Sequence, residues 1–339
     1  MTTITTRRQS SWTRWVEPVA VGWALLYGGL GILWTLGGPG FPFGKAADRG
    51  YGESILGTAD PRLLAPVVAV AGLLAAAAVL ALRGTNVLAK AAFGYLAILG
   101  ASLLVVIPDR RPLIAVAYAP ILLIGAPFGW PEGVSFLDAI PWPVLNQLVL
   151  MVGGVLLLGA ALAYRRRVRH DEAAPWTTLA AVSRWGPWAV GIAVAIPVLY
   201  AATRWAWALG IPLGISEEFF REGQESGLWI AGAGLASFAV VGALLTLGLW
   251  QRWGEEFPRW LPLLGGRRVP PNLAVVPATI VAVFVTSAGL EYWRLVLAGP
   301  MEMEMSWTTL GPELLWPIWG VALAAAALGY RLRRRANEG

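Results

Sequence analysis

At 339 residues, with 57% hydrophobic and only 14% charged side chains and a mean hydropathy of +0.62, the chain is too poor in charge for a soluble domain and points to a bilayer as solvent. The absence of cysteine and a single histidine, His170, exclude disulfides, thiolate metal sites, iron–sulfur clusters, histidine-held haem and Ser/His catalysis within a membrane core. The net charge of +6 comes from arginines clustered beside apolar runs, a pattern of membrane topology rather than of nucleic-acid binding.

Arg7-Arg8 precedes the first apolar run, Pro18 to Leu36, which lacks a convincing small-residue cleavage site and reads as a retained span. Gly22, Gly28, Gly29 and Gly31 in that run would let a neighbouring helix approach closely. A polar loop with Lys45, Asp48, Arg49, Glu53 and Asp60 leads to a second span at Leu63–Leu82. A third follows at Val87–Ile107, and Pro108-Asp-Arg-Arg-Pro112 breaks the chain. The run Leu113–Trp130 is interrupted by Pro120 and Pro127 and is expected not to cross. The fourth span, Val144–Tyr164, ends in the basic cluster Arg165–Arg169. Past a polar linker at 170–184, four more spans are expected at Trp188–Leu209, Leu228–Trp250, Leu273–Leu290 and Leu314–Tyr330.

The second half replays the first. Tyr27–Pro39 and Tyr200–Pro212 both read Y-x6-W-x-L-G-x-P, pairing Tyr27/Tyr200, Trp34/Trp207, Leu36/Leu209, Gly37/Gly210 and Pro39/Pro212. The match extends back through Leu26/Leu199, Val21/Val194, Ala20/Ala193, Trp15/Trp188 and Trp12/Trp185 to Ser10/Ser183. Glu53-Ser54 also pairs with Glu225-Ser226, and Ala160–Arg165 recurs at Ala326–Arg331. The expected fold is therefore all-α: a polytopic helical membrane protein of about eight spans, in two tandem four-span repeats at 1–169 and 185–339. With eight spans, the N-terminus, the linker, the C-terminus and both middle turns share one side, which collects most of the arginines. The positive-inside rule makes that side cytoplasmic in a bacterial cell membrane. The two copies then have the same orientation, about a pseudo-two-fold axis along the membrane normal.

The polar residues inside the spans are the candidates for function. Arg204 lies five residues before Leu209, about 7.5 Å inside the end of its span, and the first copy has Gly31 at the equivalent position. Intramembrane charges are expensive, so Arg204 reads as a ligand or ion contact, with Glu291 as an expected partner and Arg294 one turn further out. A structural ion pair or a side chain reaching for the headgroups is the plainer reading. Trp34, Trp207, Tyr27 and Tyr200 either anchor at the interface as an aromatic belt or line a shared outward cavity. Glu217, Glu218, Arg221, Glu222 and Glu225 are spaced for an amphipathic helix lying on the outer surface. Asn146 and Gln147 read as interhelical hydrogen bonds, and the Trp- and Arg-rich loop Gln251–Pro271 as an anchor on anionic lipid. No P-loop, dinucleotide fingerprint or histidine cluster appears, and the clustered carboxylates of 217–225, which could bind a divalent cation, lack a glycine-bearing ligand loop, so neither cofactor nor metal is expected.

The run Tyr200-Ala-Ala-Thr-Arg-Trp-Ala-Trp-Ala-Leu-Gly-Ile-Pro-Leu-Gly with Gly265-Gly-Arg-Arg-Val-Pro-Pro271 resembles uncharacterised multi-pass membrane proteins of actinobacteria. Its W-x-L-G element is similar to one in small four-helix membrane proteins. The resemblance implies a membrane location and brings no activity or site residue. The expected partners are the lipid bilayer and a small ligand, ion or lipid, bound or transported between the repeats near Arg204 and Glu291. The alternatives are a non-transporting partner subunit or envelope-maintenance protein and, third, a membrane enzyme using outer carboxylates.

Overall fold

The computed structural model describes residues 11–44, 54–125, 140–168, 174–260, 262–298 and 306–336. Arg7, Arg8, Ser10, Lys45, Asp48, Arg49, Glu53, Arg169, His170, Glu302, Glu304 and the 126–130 end of the interrupted segment lie outside the described residues. Those described are helical, with no strand beyond an isolated antiparallel bridge between Glu256 and Arg268. The chain divides into two compact units, residues 1–172 and 173–339.

The first unit contains α1 (Ser11–Thr35), α2 (Pro61–Ala81), α3 (Val87–Ala101), α4 (Arg111–Gly125) and α5 (Trp142–Val168). Local chemistry sets the helix starts. Asp60 accepts from the Arg62 amide at 2.9 Å with Pro61 in the first turn, and Asn86 accepts from the Ala89 amide at 3.1 Å. α1 packs on α2 and α5, and α3 on α2 and α5, which closes a bundle. Lipid gives no hydrophobic drive for helices to associate, so small residues bring the backbones together. A Cβ added at Gly31 would lie 2.3 Å from the Ala69 amide nitrogen, and one at Gly72 2.5 Å from that of Gly28. Gly22 and Gly29 face nothing within 4 Å, so only two of the four glycines singled out in α1 serve the approach.

The second unit contains α6 (Leu179–Ala208), α7 (Glu217–Glu225), α8 (Leu228–Leu247), α9 (Pro271–Ala298), α10 (Gly311–Leu314) and α11 (Trp316–Ala336). α6 starts nine residues earlier than the apolar run predicts, because the Thr178 hydroxyl caps the Ala181 amide at 3.3 Å. α6 packs on α8 and α11, and α9 on α11. Pro317 and Ala282 come close enough to Gly289 and Gly320 that added Cβ atoms would meet them at 2.3 and 2.5 Å.

Among the described residues, seven helices are long and apolar enough to cross a membrane: α1, α2, α3 with its extension to Val106, α5, α6, α8 and α9. The eighth expected span is α11. It has 21 residues, as many as α2, but its last turns carry Arg331, Arg333, Arg334 and Arg335, which lower its hydropathy. α4, with 15 residues, is shorter than any of the seven. Arginines close one end of each unit. Arg167 donates to the Leu82 carbonyl just past α2, and Arg333 to the Leu249 carbonyl just past α8. Each satisfies an oxygen that the end of a helix leaves without a partner.

The α1–α2 crossing yields a direct test. Gly31→Val should cost about 1–3 kcal/mol by overpacking and lower the melting midpoint in detergent. Gly22→Val, which faces open space, should leave it unchanged.

Candidate functional site

The repeated motif is first a way of stopping a helix. At the end of α6, Gly210 takes φ +90°, its amide donates to the Trp207 carbonyl at 3.1 Å, and the Ile211 amide donates to that of Ala206 at 2.9 Å. At the end of α1, Gly37 takes φ +85°, with Gly37 bonding to Trp34 at 3.1 Å and Gly38 to Leu33 at 2.9 Å. A left-handed residue after the last turn is what this pair of bonds needs, and glycine takes it without strain. The tryptophans preceding these stops turn inward. Trp34 is 6% exposed and Trp207 2%, too buried for a lipid-facing belt. Trp34 meets Phe41 edge to face, while Trp207 lies against Trp229 at 4.9 Å and donates its indole N–H to the Leu213 carbonyl at 3.0 Å.

The tyrosines one helical stretch earlier are buried as well. Tyr27 stacks on Trp23 and donates to Asn146 Oδ1 at 2.8 Å, and Tyr200 packs edge to face on Trp316. Between Tyr200 and Trp207 lies Arg204, whose guanidinium carbon is 4.6 Å from one ring centre and 4.5 Å from the other. Two aromatic faces favour a cation there electrostatically. Nη1 donates to Thr203 Oγ1 at 3.0 Å and to the Thr308 carbonyl at 2.9 Å. Nη2 donates to the Thr309 carbonyl at 3.3 Å and pairs with Glu313 Oε1.

The two carbonyls are aimed by a turn that binds itself. The Ser306 amide donates to Thr309 Oγ1 at 2.8 Å and the Thr309 amide to Ser306 Oγ at 3.2 Å. Thr308 is fully buried, and Gly214 on the α6–α7 connection leaves room for it: a Cβ there would lie 2.7 Å from its side chain. α7 covers the neighbouring aromatics, burying Phe220 and taking the Trp229 indole N–H on the Phe220 carbonyl at 2.8 Å. Its acids Glu217, Glu218, Glu222 and Glu225 are exposed, as its amphipathic pattern predicts.

Sequence reasoning offered Glu291 as a partner for Arg204, and the structure shows Arg204 paired with a different carboxylate. Its partner is Glu313 on α10. Glu291 is fully buried on α9, and Arg294 half-buried one turn further along. A signal for Glu313 existed: extending the Ala160–Arg165/Ala326–Arg331 match backwards sets Glu313 opposite Gln147. Gln147 holds the first unit's own polar cluster. Its Nε2 donates to Asp109 Oδ2 at 2.7 Å, its Oε1 accepts from the Asp109 amide at 3.0 Å, and Arg111 pairs with Asp109 at 2.7 Å. The Pro-Asp-Arg-Arg-Pro break was read only as a chain break, so this pair was missed as well.

The two clusters differ in what they leave unmet. Glu313 is 3% exposed and its Oε2 is buried without a hydrogen-bond partner. Burial pushes its carboxyl up to about 7, although Arg204 and a backbone hydrogen bond pull it down. The carboxyl therefore changes charge near neutrality inside a site built for a cation. Among the described residues no group of three or more His, Cys, Asp or Glu could hold a metal ion. No protein-family model, no curated protein and no solved structure matches the chain.

A group whose folded pKa lies above its unfolded value adds stability at low pH, and that stability is lost as pH rises through the folded pKa. The melting midpoint should thus fall as pH goes from about 4.5 to about 7 and level off above that. In Glu313→Gln the slope should vanish. A wild-type midpoint that does not vary over this window would contradict the burial described for Glu313.

Proposed function

We propose that this multi-pass membrane protein binds a small anion together with one proton at the Arg204–Glu313 pair of its second unit. The observation that carries the reading is the Glu313 oxygen buried without a partner beside a guanidinium held between two aromatic rings. A buried site tolerates net charge poorly. Arg204 with ionised Glu313 is neutral, and so is Arg204 with protonated Glu313 and one bound monovalent anion. Protonation releases the guanidinium from its carboxylate, and the anion replaces the lost charge. Gly31 at the position of Arg204, packed against Ala69, leaves the first unit no counterpart.

We further infer that the two units are tandem four-span repeats in a bacterial cell membrane with both termini cytoplasmic. The matching helix stops at Gly37 and Gly210, and the matching arginine caps on Leu82 and Leu249, support the repeat. α11 serves as the eighth crossing: its 21 residues span about 31 Å, enough for a core about 30 Å thick. It also packs on two crossing helices, α6 and α9.

One observation favours a second reading, that of a non-transporting membrane component. Arg204 already makes four hydrogen bonds within the chain, as a clasp between α6 and residues 308–313 would. Calorimetric titration of the full chain in lipid nanodiscs with nitrate and with formate separates the two. Anion binding should weaken about tenfold per pH unit above about 7 and stay constant below it, one proton being taken up per anion. Glu313→Gln should bind at every pH and Arg204→Gln at none. If neither anion binds wild type at any pH, while Arg204→Gln loses stability, the clasp reading stands.

A further inference from the structure

The second unit departs from the first at another place, where α8 and α9 barely meet, although α2 packs on α3. A cavity of about 530 Å³ occupies the gap. Leu245 of α8 and Leu249 just past its end form one wall, Leu273 and Val281 of α9 the other, and Trp319 and Leu323 of α11 the back. Among the lining side chains only Thr246 and three tryptophans carry a polar atom, and the Thr246 hydroxyl is spent on the Gly242 carbonyl of its own helix at 2.8 Å. Such a lining selects an apolar occupant. From Leu273 to Val281 the wall runs about 12 Å, less than half of an apolar core about 30 Å thick.

The connection from α8 to α9 closes one end with Trp253, Phe257, Trp260 and Val269. It is a built structure. The Phe257 amide donates to the Arg267 carbonyl, and the Val269 amide to that of Glu255, each at 2.9 Å. α11 clamps it further: the Tyr330 hydroxyl donates to the Gly254 carbonyl at 2.8 Å, and Arg334 to those of Glu255 and Val269 at 3.1 and 3.0 Å. The same connection carries Arg252, Arg259, Arg267 and Arg268. All four are exposed, and none has an ion-pair partner among the described residues; Glu255 is taken by Arg333 at 3.5 Å. An apolar slot about 12 Å long, capped by a loop with four cations that have no ion-pair partner among the described residues, has the chemistry to hold a lipid with an anionic head.

We propose that the α8–α9 cavity is a specific lipid site, which holds one acyl chain of an anionic glycerophospholipid with its phosphate on the arginines of the 251–270 loop. The site is separate from the Arg204–Glu313 pair and does not depend on that reading.

Native mass spectrometry of the full chain, delipidated and then exposed to vesicles of phosphatidylglycerol or phosphatidylcholine, tests this. One phosphatidylglycerol should be retained per chain and phosphatidylcholine should not. Each alanine substitution among Arg252, Arg259, Arg267 and Arg268 should lower retention about fivefold. Because these side chains are exposed, the variants should fold. Ala278→Leu, which fills the slot from α9, should abolish retention without lowering the melting midpoint. Equal retention of the two lipids, retention unaffected by the arginine substitutions, or a dimer that occupies the face and is lost in Trp260→Ala would each overturn the proposal.

Discussion

A polar group inside a bilayer has no water to turn to, and this constraint shapes both units. Each must satisfy its buried polar atoms with its own chain, and it does so mainly at helix ends. Glycine stops turn the ends of α1 and α6 back onto their own carbonyls. Arginines from the last helix of each unit reach the carbonyls that α2 and α8 leave open. Buried side chains bond to one another: Asp109 to Arg111 and Gln147, Arg204 to Glu313 and the Thr308–Thr309 carbonyls. Where the accounting is complete the result is structural. Where it leaves a remainder, as at Glu313 Oε2, the molecule keeps a group whose charge state is free to change.

The two units differ where one of them has room. In the first, Gly31 lets α2 come within contact of α1, and that closeness leaves no space for a long side chain. In the second, the equivalent position carries Arg204, which extends toward residues 308–313 between Tyr200 and Trp207. At the opposite end of the helices the same contrast recurs, with α2 packed on α3 but α8 held apart from α9. Function is therefore sought in the second unit, at two separate places of opposite chemistry, a buried ion pair and an apolar cavity.

The helical architecture was legible in the sequence because apolar runs of about twenty residues carry a strong signal. α11 was less so, since the arginines that cap the bundle also dilute its hydropathy. The motif's glycines were readable as helix stops, yet nothing in the letters told that Trp34 and Trp207 turn into the bundle rather than outward to lipid. Arg204 stood out because a lone charge in a span is costly. Its partner did not, because Glu313 lies on a four-residue helix more than a hundred positions away, where spacing along one helix gives no guidance. Asp109 was hidden for a related reason: its Pro-flanked setting resembles an exposed turn, and only the fold brings Gln147 down onto it.

The account turns on whether a proton on Glu313 and an anion on Arg204 are taken up together. Infrared difference spectroscopy of the full chain in lipid at pH about 8, just above the range to which burial lifts this carboxyl, observes both partners at once. Adding nitrate should produce a protonated-carboxyl band that is absent in Glu313→Gln, with uptake of one proton per anion bound. Nitrate binding without a new carboxyl band would contradict the account, as would the same band persisting in Glu313→Gln.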